Sequence, residues 1–259
     1  MKKLLPFFLV VSGAFFQSAR AAEQPVEIVV SAAISMKEAL SATAKDFEAS
    51  NEGVKVLLNF ASSGALQKQI ENGAPVEVFV SAGAKEMNAL DQEALLAPGS
   101  RTDLLDNSLV LITPKAATTI HTLDDLQAPE VKRIAVGDPK SVPAGLYAKQ
   151  ALTWAKLAET LQPKLVLGEN VRQVLAYVES GNVDAGIVYA TDAKASQKVR
   201  VAAVLPAESH EAIVYPAAVL KAAKQPKAAA EFLAFLRSET AQKEFEKYGF
   251  QLHPAAAAK

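Results

Sequence analysis

The stretch Val26-Glu27-Ile28-Val29-Val30, followed by Met36 to Ser50, Val54 to Phe60, Leu66 to Glu71 and Val76-Glu77-Val78-Phe79-Val80, decides the fold. The first, third and fifth segments are short runs of β-branched and aromatic residues and read as buried strands. Between the first two, Met36, Ala39, Leu40, Ala44 and Phe47 recur at helical spacing and mark one apolar helix face. The fourth segment is a short helix stopped by Asn72-Gly73. Strand, helix, strand, helix, strand in this order requires right-handed crossovers, and so a parallel sheet with helices on both faces.

The pattern resumes downstream. Ser108 to Thr113, Arg133 to Val136, Lys164 to Leu167, Ala185 to Tyr189 and Val199 to Leu205 read as strands of a second sheet, with helices over Pro143 to Leu161 and Val171 to Glu179. Ile213 to Leu220 then leads into helices at Lys227 to Leu236 and Thr240 to Tyr248, which have no sheet of their own and are assigned to the first unit. The expected architecture is α/β with two lobes, each a mainly parallel sheet flanked by helices, and a ligand cleft between them. One lobe comprises residues 22–106 and 216–259, the other 107–215, with chain crossings near Asn107 and Tyr215-Pro216. The Ala-rich end from Pro254 to Lys259 is expected to fray.

Composition narrows the function. The 259 residues carry 27 Lys+Arg against 28 Asp+Glu and no Cys. That balance gives no electrostatic reason for a nucleic-acid or anionic-membrane partner. The missing cysteine removes disulfides, thiol nucleophiles and cysteine zinc sites. Met1-Lys2-Lys3, the apolar run Leu4 to Phe16 and the ending Ala19-Arg20-Ala21 form a secretory signal peptide over 1–21, and the apolar run is shorter than the about 20 residues a bilayer span needs. Its removal takes away Lys2, Lys3 and Arg20 and no acid, so the mature chain is net acidic. With no Cys at the cleavage point to take a lipid, the mature protein is expected to be free and soluble in a periplasm; a monomer is expected as well.

Several predicted strands end in small or hydroxyl-bearing residues where a helix begins: Ser31-Ala32-Ala33-Ile34-Ser35, Ala61-Ser62-Ser63-Gly64, Val142-Pro143-Ala144-Gly145 and Glu169-Asn170-Val171. Ligands of open α/β sheets sit at the carboxyl ends of strands. Helix N-termini offer N–H groups and a positive dipole end to an anion. Each Ser or Asn taken singly also reads as an ordinary helix cap, and Tyr189 reads either as core or as a hydroxyl aimed into the cleft. Tyr147, Trp154 and Leu161 read as core, and His121, His210 and His253 as scattered surface residues without zinc-site spacing. No G-x-S-x-G, G-x-G-x-x-G or P-loop string occurs.

Taken together, these motifs resemble the periplasmic molybdate-binding proteins of ABC transporters, of the type II periplasmic solute-binding family. The resemblance covers nearly the whole mature chain and rests on the first two stretches above, Gly73-Ala74-Pro75, Val136-Gly137-Asp138-Pro139 running into Val142-Pro143-Ala144-Gly145-Leu146-Tyr147-Ala148, Gly186-Ile187-Val188-Tyr189 and Tyr248-Gly249-Phe250. It implies oxyanion contacts from Ser35 and Ser63 through hydroxyl and backbone N–H, from Ala144 and Val171 through backbone N–H, and from the Tyr189 hydroxyl. Ile34 departs from the family's more frequent Ala beside Ser35. The implied function is capture of molybdate, and tungstate with it, for delivery to a membrane permease of an ABC importer, with no catalysis, no cofactor, and molybdenum present only as bound molybdate. A fully deprotonated dianion needs donors and no acceptor, which hydroxyls and backbone N–H groups supply. The alternatives are a receptor of the same fold for another tetrahedral oxyanion such as sulfate and, more remotely, an exported serine hydrolase using Ser35 or Ser63.

Overall fold

The computed structural model describes residues 25–254. The signal peptide expected over 1–21, and the tail beyond Pro254, lie outside the described residues. The first unit opens with β1 (Val26–Ala33), α1 (Lys37–Ser50), β2 (Val54–Ala61), α2 (Ser63–Glu71), β3 (Val78–Val80), α3 (Ala84–Gln92) and β4 (Thr102–Asp106). The second contains β5 (Leu109–Pro114), β6 (Ile134–Gly137), α4 (Pro143–Trp154), α5 (Ala158–Leu161), β7 (Leu165–Gly168), α6 (Val171–Glu179), β8 (Ala185–Tyr189), α7 (Ala190–Lys194) and β9 (Val199–Val204). The chain closes with β10 (Val214–Val219), α8 (Pro226–Phe235), α9 (Glu239–Tyr248) and β11 (Gln251–Leu252).

Among the described residues these strands form two sheets, ordered β11-β4-β10-β3-β1-β2 and β7-β6-β8-β5-β9. β1 pairs parallel with β2 and β3, and β6 pairs parallel with β7 and β8. The other pairings are antiparallel: β10 with β3 and β4, β11 with β4, and β5 with β8 and β9. Each sheet is therefore mixed, not mainly parallel. The parallel half is the one linked by helical crossovers. The antiparallel strands β4, β5, β9 and β10 flank the two places where the chain passes from one sheet to the other, and no crossover helix sets their direction.

Period-two alternation buries the first sheet on both faces. Ile28, Val30, Val78, Val80, Ala217 and Val219 join Phe47 and Phe232 in one core, whereas Phe79, Ala218 and Leu220 join Leu66, Ile70, Met87 and Leu90 in another. The Phe47 ring meets Phe232 edge-on at 5.1 Å, fastening α8 to α1. The long helix expected from Pro143 to Leu161 is broken instead. Lys156 adopts a φ of 60°, so α4 stops at Trp154 and α5 begins only at Ala158. Trp154, expected in the core, is 53% exposed at that break, while Tyr147 and Leu161 are buried.

Gly137 and Gly145 explain how closely α4 lies on β6. A Cβ on Gly145 would collide with the Gly137 carbonyl, and one on Gly137 would meet Val142 Cγ1 at 2.5 Å. Gly145 is thus a close-approach residue and not merely a flexible helix entry.

Candidate functional site

Parallel strands bring their carboxyl ends to one edge, and there the chain turns into helix four times. β1 runs into a 3-10 turn over Ile34–Met36, β2 into α2, β6 through residues 138–142 into α4, and β7 through Glu169-Asn170 into α6. β8 ends at Tyr189. Ser35, Ser63, Ala144, Val171 and Tyr189, the five residues singled out in the sequence, all line one cavity of about 10 Å³. All are buried, at 4%, 1%, 1%, 3% and 1% exposure. The cavity also touches Ile34, Ser62, Ala82 and Pro143, and none of its lining residues is charged. Its size is about that of one solvent sphere, far below the few hundred Å³ of organic-ligand sites. Only a compact solute suits it.

The capping reading of the serines does not hold. The 3-10 turn at Ile34 and helix α1 begin without a side-chain cap, and Ser62, at the N-cap of α2, accepts no cap hydrogen bond. Asn170 does cap α6, accepting from Gln173 N at 3.0 Å. The neighbouring Val171 N–H and the Ala144 N–H lie in first helical turns, where no carbonyl four residues earlier can take them. Ser63 Oγ accepts from Ala82 N–H at 3.0 Å, which leaves the serine proton for another acceptor. Ser35 Oγ lies 3.0 Å from the Tyr215 hydroxyl.

Tyr189 reaches across to the first sheet, where its hydroxyl donates to the Ala82 carbonyl at 3.0 Å. To donate to a ligand, this hydroxyl must turn from Ala82. Burial raises the Tyr189 and Tyr215 phenols well above their ordinary range, so both keep their protons. Neither serine hydroxyl has a base beside it: one partner is a phenol and the other a backbone N–H. Nucleophilic activation therefore has no support in the geometry. Among the described residues no group of three or more metal-ligating side chains is placed to hold an ion, and no helix is long and apolar enough to cross a membrane. His121 is exposed, but His210 and His253 are half-buried: His210 packs against the Tyr147 ring and His253 Nδ1 lies 2.6 Å from Asp106 Oδ1.

Further contacts join the two units around this cavity. Gly64 N–H donates to the Ser141 carbonyl at 3.0 Å, and Lys194 Nζ to the Lys247 carbonyl at 2.9 Å. Arg172 pairs with Glu38 of α1 at 2.6 Å and lies 2.7 Å from Asp192 Oδ1, although its Nε–H is not aimed in line at that oxygen. Asp192 is fully buried, and burial pushes its carboxyl up to about 7 against the opposing pull of Arg172. Glu38, Arg172, Lys194 and Lys247 border a second, larger cavity of about 270 Å³ that shares Ser35 with the first. The sequence reading missed Arg172, Glu38, Asp192 and Tyr215. Their partners lie far along the chain, and no local spacing announces them.

Comparison with known proteins agrees with this geometry. Residues 28–251 match the family model described as bacterial extracellular solute-binding protein. The chain is 42% identical over 247 residues to a Bacillus subtilis protein named as an ABC transporter substrate-binding lipoprotein, covering 95% of each. It is 40% identical over 257 residues to the molybdate-binding protein ModA of Haemophilus influenzae, covering 96% of this chain and 99% of that one. The periplasmic molybdate-binding protein of Azotobacter vinelandii superposes with a TM-score of 0.80 at 28% identity, covering 88% of this chain and all of that one, 100%. These relatives are solute-binding proteins and not enzymes. Fold, cavity and similarity agree: the chain belongs to the bacterial extracellular solute-binding proteins, in the family of the molybdate-binding proteins ModA.

Proposed function

We propose that this protein binds molybdate, and tungstate with it, in the small cavity between its lobes and hands it to the membrane permease of an ABC importer. The observation that carries this reading is a buried, compact cavity lined by hydroxyls and first-turn N–H groups with no charged side chain. A proton-free oxyanion is matched by donors alone, and helix N-termini supply the favourable potential without a fixed cation. Ser35, Ser63, Ala144, Val171 and Tyr189 are the proposed contacts, the last after turning from Ala82. Residues 22–106 with 216–259, and 107–215, are the proposed lobes. Because the ligand bridges them, it favours the closed arrangement. Export by a cleaved signal peptide, a reading supported by the pattern of residues 1–21, would put the receptor in the periplasm without a lipid anchor, in keeping with the absence of cysteine, and we take it to act there as a monomer.

Thermal melting tests the proposal. Molybdate at 100 times its dissociation constant adds about 2.7 kcal/mol of stability, which for a chain of this size raises Tm by about 5 to 10 °C. No shift, together with no heat on calorimetric titration, contradicts it.

A further inference from the structure

We infer that Asn107 and Tyr215 are positioning residues that lock the Ser35 hydroxyl as a donor toward the ligand and thereby select oxyanions that carry no proton. This inference rests on the oxyanion reading above. It begins at a bond whose direction is certain. Ser108 N–H, which can only donate, gives its proton to Asn107 Oδ1 at 2.9 Å. That fixes the amide, so Nδ2 is the atom facing Thr191 Oγ1 at 2.9 Å and the Tyr215 hydroxyl at 3.2 Å.

Tyr215 therefore accepts from Asn107, and its single proton needs an acceptor. The residue is fully buried, and its other hydroxyl partner is Ser35 Oγ at 3.0 Å. If Ser35 donated to Tyr215 instead, the phenolic proton would sit buried and unpaired, which is strongly disfavoured. The direction is then Asn107 to Tyr215 to Ser35, and the Ser35 proton is left for the cavity that this residue lines. Each donor polarises the next. Tyr215 takes one of the two Ser35 lone pairs, and turning the other toward a ligand O–H would leave the Ser35 proton buried without an acceptor, since Tyr215 is the one side-chain hydrogen-bond partner of this hydroxyl among the described residues. Asn107 lies between β4 and β5 and Tyr215 on β10, so the relay is anchored at both chain crossings. The Tyr215 ring is held independently, meeting the rings of Tyr189 at 5.7 Å and Phe250 at 5.3 Å. Removing the hydroxyl alone therefore leaves the packing in place.

Calorimetric titration of wild type, Tyr215→Phe, Ser35→Ala and the double variant, each with molybdate and with hydrogen phosphate, tests the relay. Tyr215→Phe is expected to weaken molybdate binding about 5- to 30-fold and to narrow the preference over hydrogen phosphate, since a released Ser35 can turn to accept. In the Ser35→Ala background the same substitution is expected to change molybdate affinity by less than about twofold, because the two residues act as one unit. An equal loss in both backgrounds, or an unchanged ligand ratio, overturns the relay. Asn107→Leu is a second arm with the same expected direction and the same overturning result. If wild type prefers sulfate, the cycle is run with sulfate; the ligand assignment is then corrected and the relay is still tested. A wild type that binds neither anion overturns both proposals.

Discussion

Ser63 uses one hydroxyl in two directions: the oxygen receives the Ala82 N–H and the proton is left to point into the cavity. Ser63→Ala removes a donor from a charge-assisted contact worth about 1.5 to 3 kcal/mol, so molybdate affinity is expected to fall about 10- to 100-fold while the fold persists. Titration calorimetry with a parallel melt checks this, and an unchanged affinity would reduce Ser63 to holding Ala82. Asp192 makes a different prediction. Its carboxyl is raised to about 7 from a reference of 3.8, first by burial, with Arg172 opposing and Glu38 adding to the rise, and the Tyr189 and Tyr215 phenols nearby. Between those values the folded state binds more protons than the unfolded one, so the stability this group contributes is present at low pH and is lost as pH climbs toward about 7. Melts of the unliganded protein across that window should show wild type losing ground to Asp192→Asn as pH rises. A gap between the two that stays constant with pH contradicts the burial argument.

At the scale of elements, the legible parts were those with a local cause. α6 was read at Val171 to Glu179 and β8 at Ala185 to Tyr189, as found, because a capping Asn and a short apolar run each declare themselves within a few residues. α3, β4, α7 and β11 were not read. β4 alternates weakly and β11 is two residues long, so tertiary pairing and not propensity makes them strands. The break of the long helix at Lys156 carries no Pro or Gly to announce it. Gly64 shows the same limit. In sequence it is one more small residue, but in space a Cβ there would meet the Ser141 carbonyl at 2.6 Å, across the cleft and on the hydrogen bond that joins α2 to the loop before α4. Gly64→Ala is therefore expected to hold the lobes apart, weakening molybdate binding at least about tenfold with little change in the unliganded melt, whereas Gly145→Ala, buried inside one lobe, should lower that melt directly. Calorimetry and melting of the two variants separate the effects; a Gly64→Ala protein with wild-type affinity contradicts the assignment of Ser141 and Gly64 to the closing contact.

For the whole molecule, the alternation of strands and helices foretold a two-lobed α/β fold, whose strands form two sheets, and the five candidate residues meet at one cavity. What could not be read was the side-chain wiring around that cavity: Tyr215 behind Ser35, Ala82 between Ser63 and Tyr189, Arg172 between Glu38 and Asp192. Such contacts join residues far apart along the chain and leave no periodic trace. The wiring supplies donors at a place with no cation, and a net acidic chain would then attract its anion only locally, through helix ends and hydroxyls. Cavity size and a lining that offers donors to a proton-free anion together make a sharp claim about ligand choice. A competition titration of molybdate, tungstate, sulfate and phosphate against the purified protein tests it most directly. The account predicts that molybdate and tungstate displace one another at comparable concentrations while sulfate and phosphate displace neither; tighter binding of sulfate or phosphate than of molybdate would contradict it.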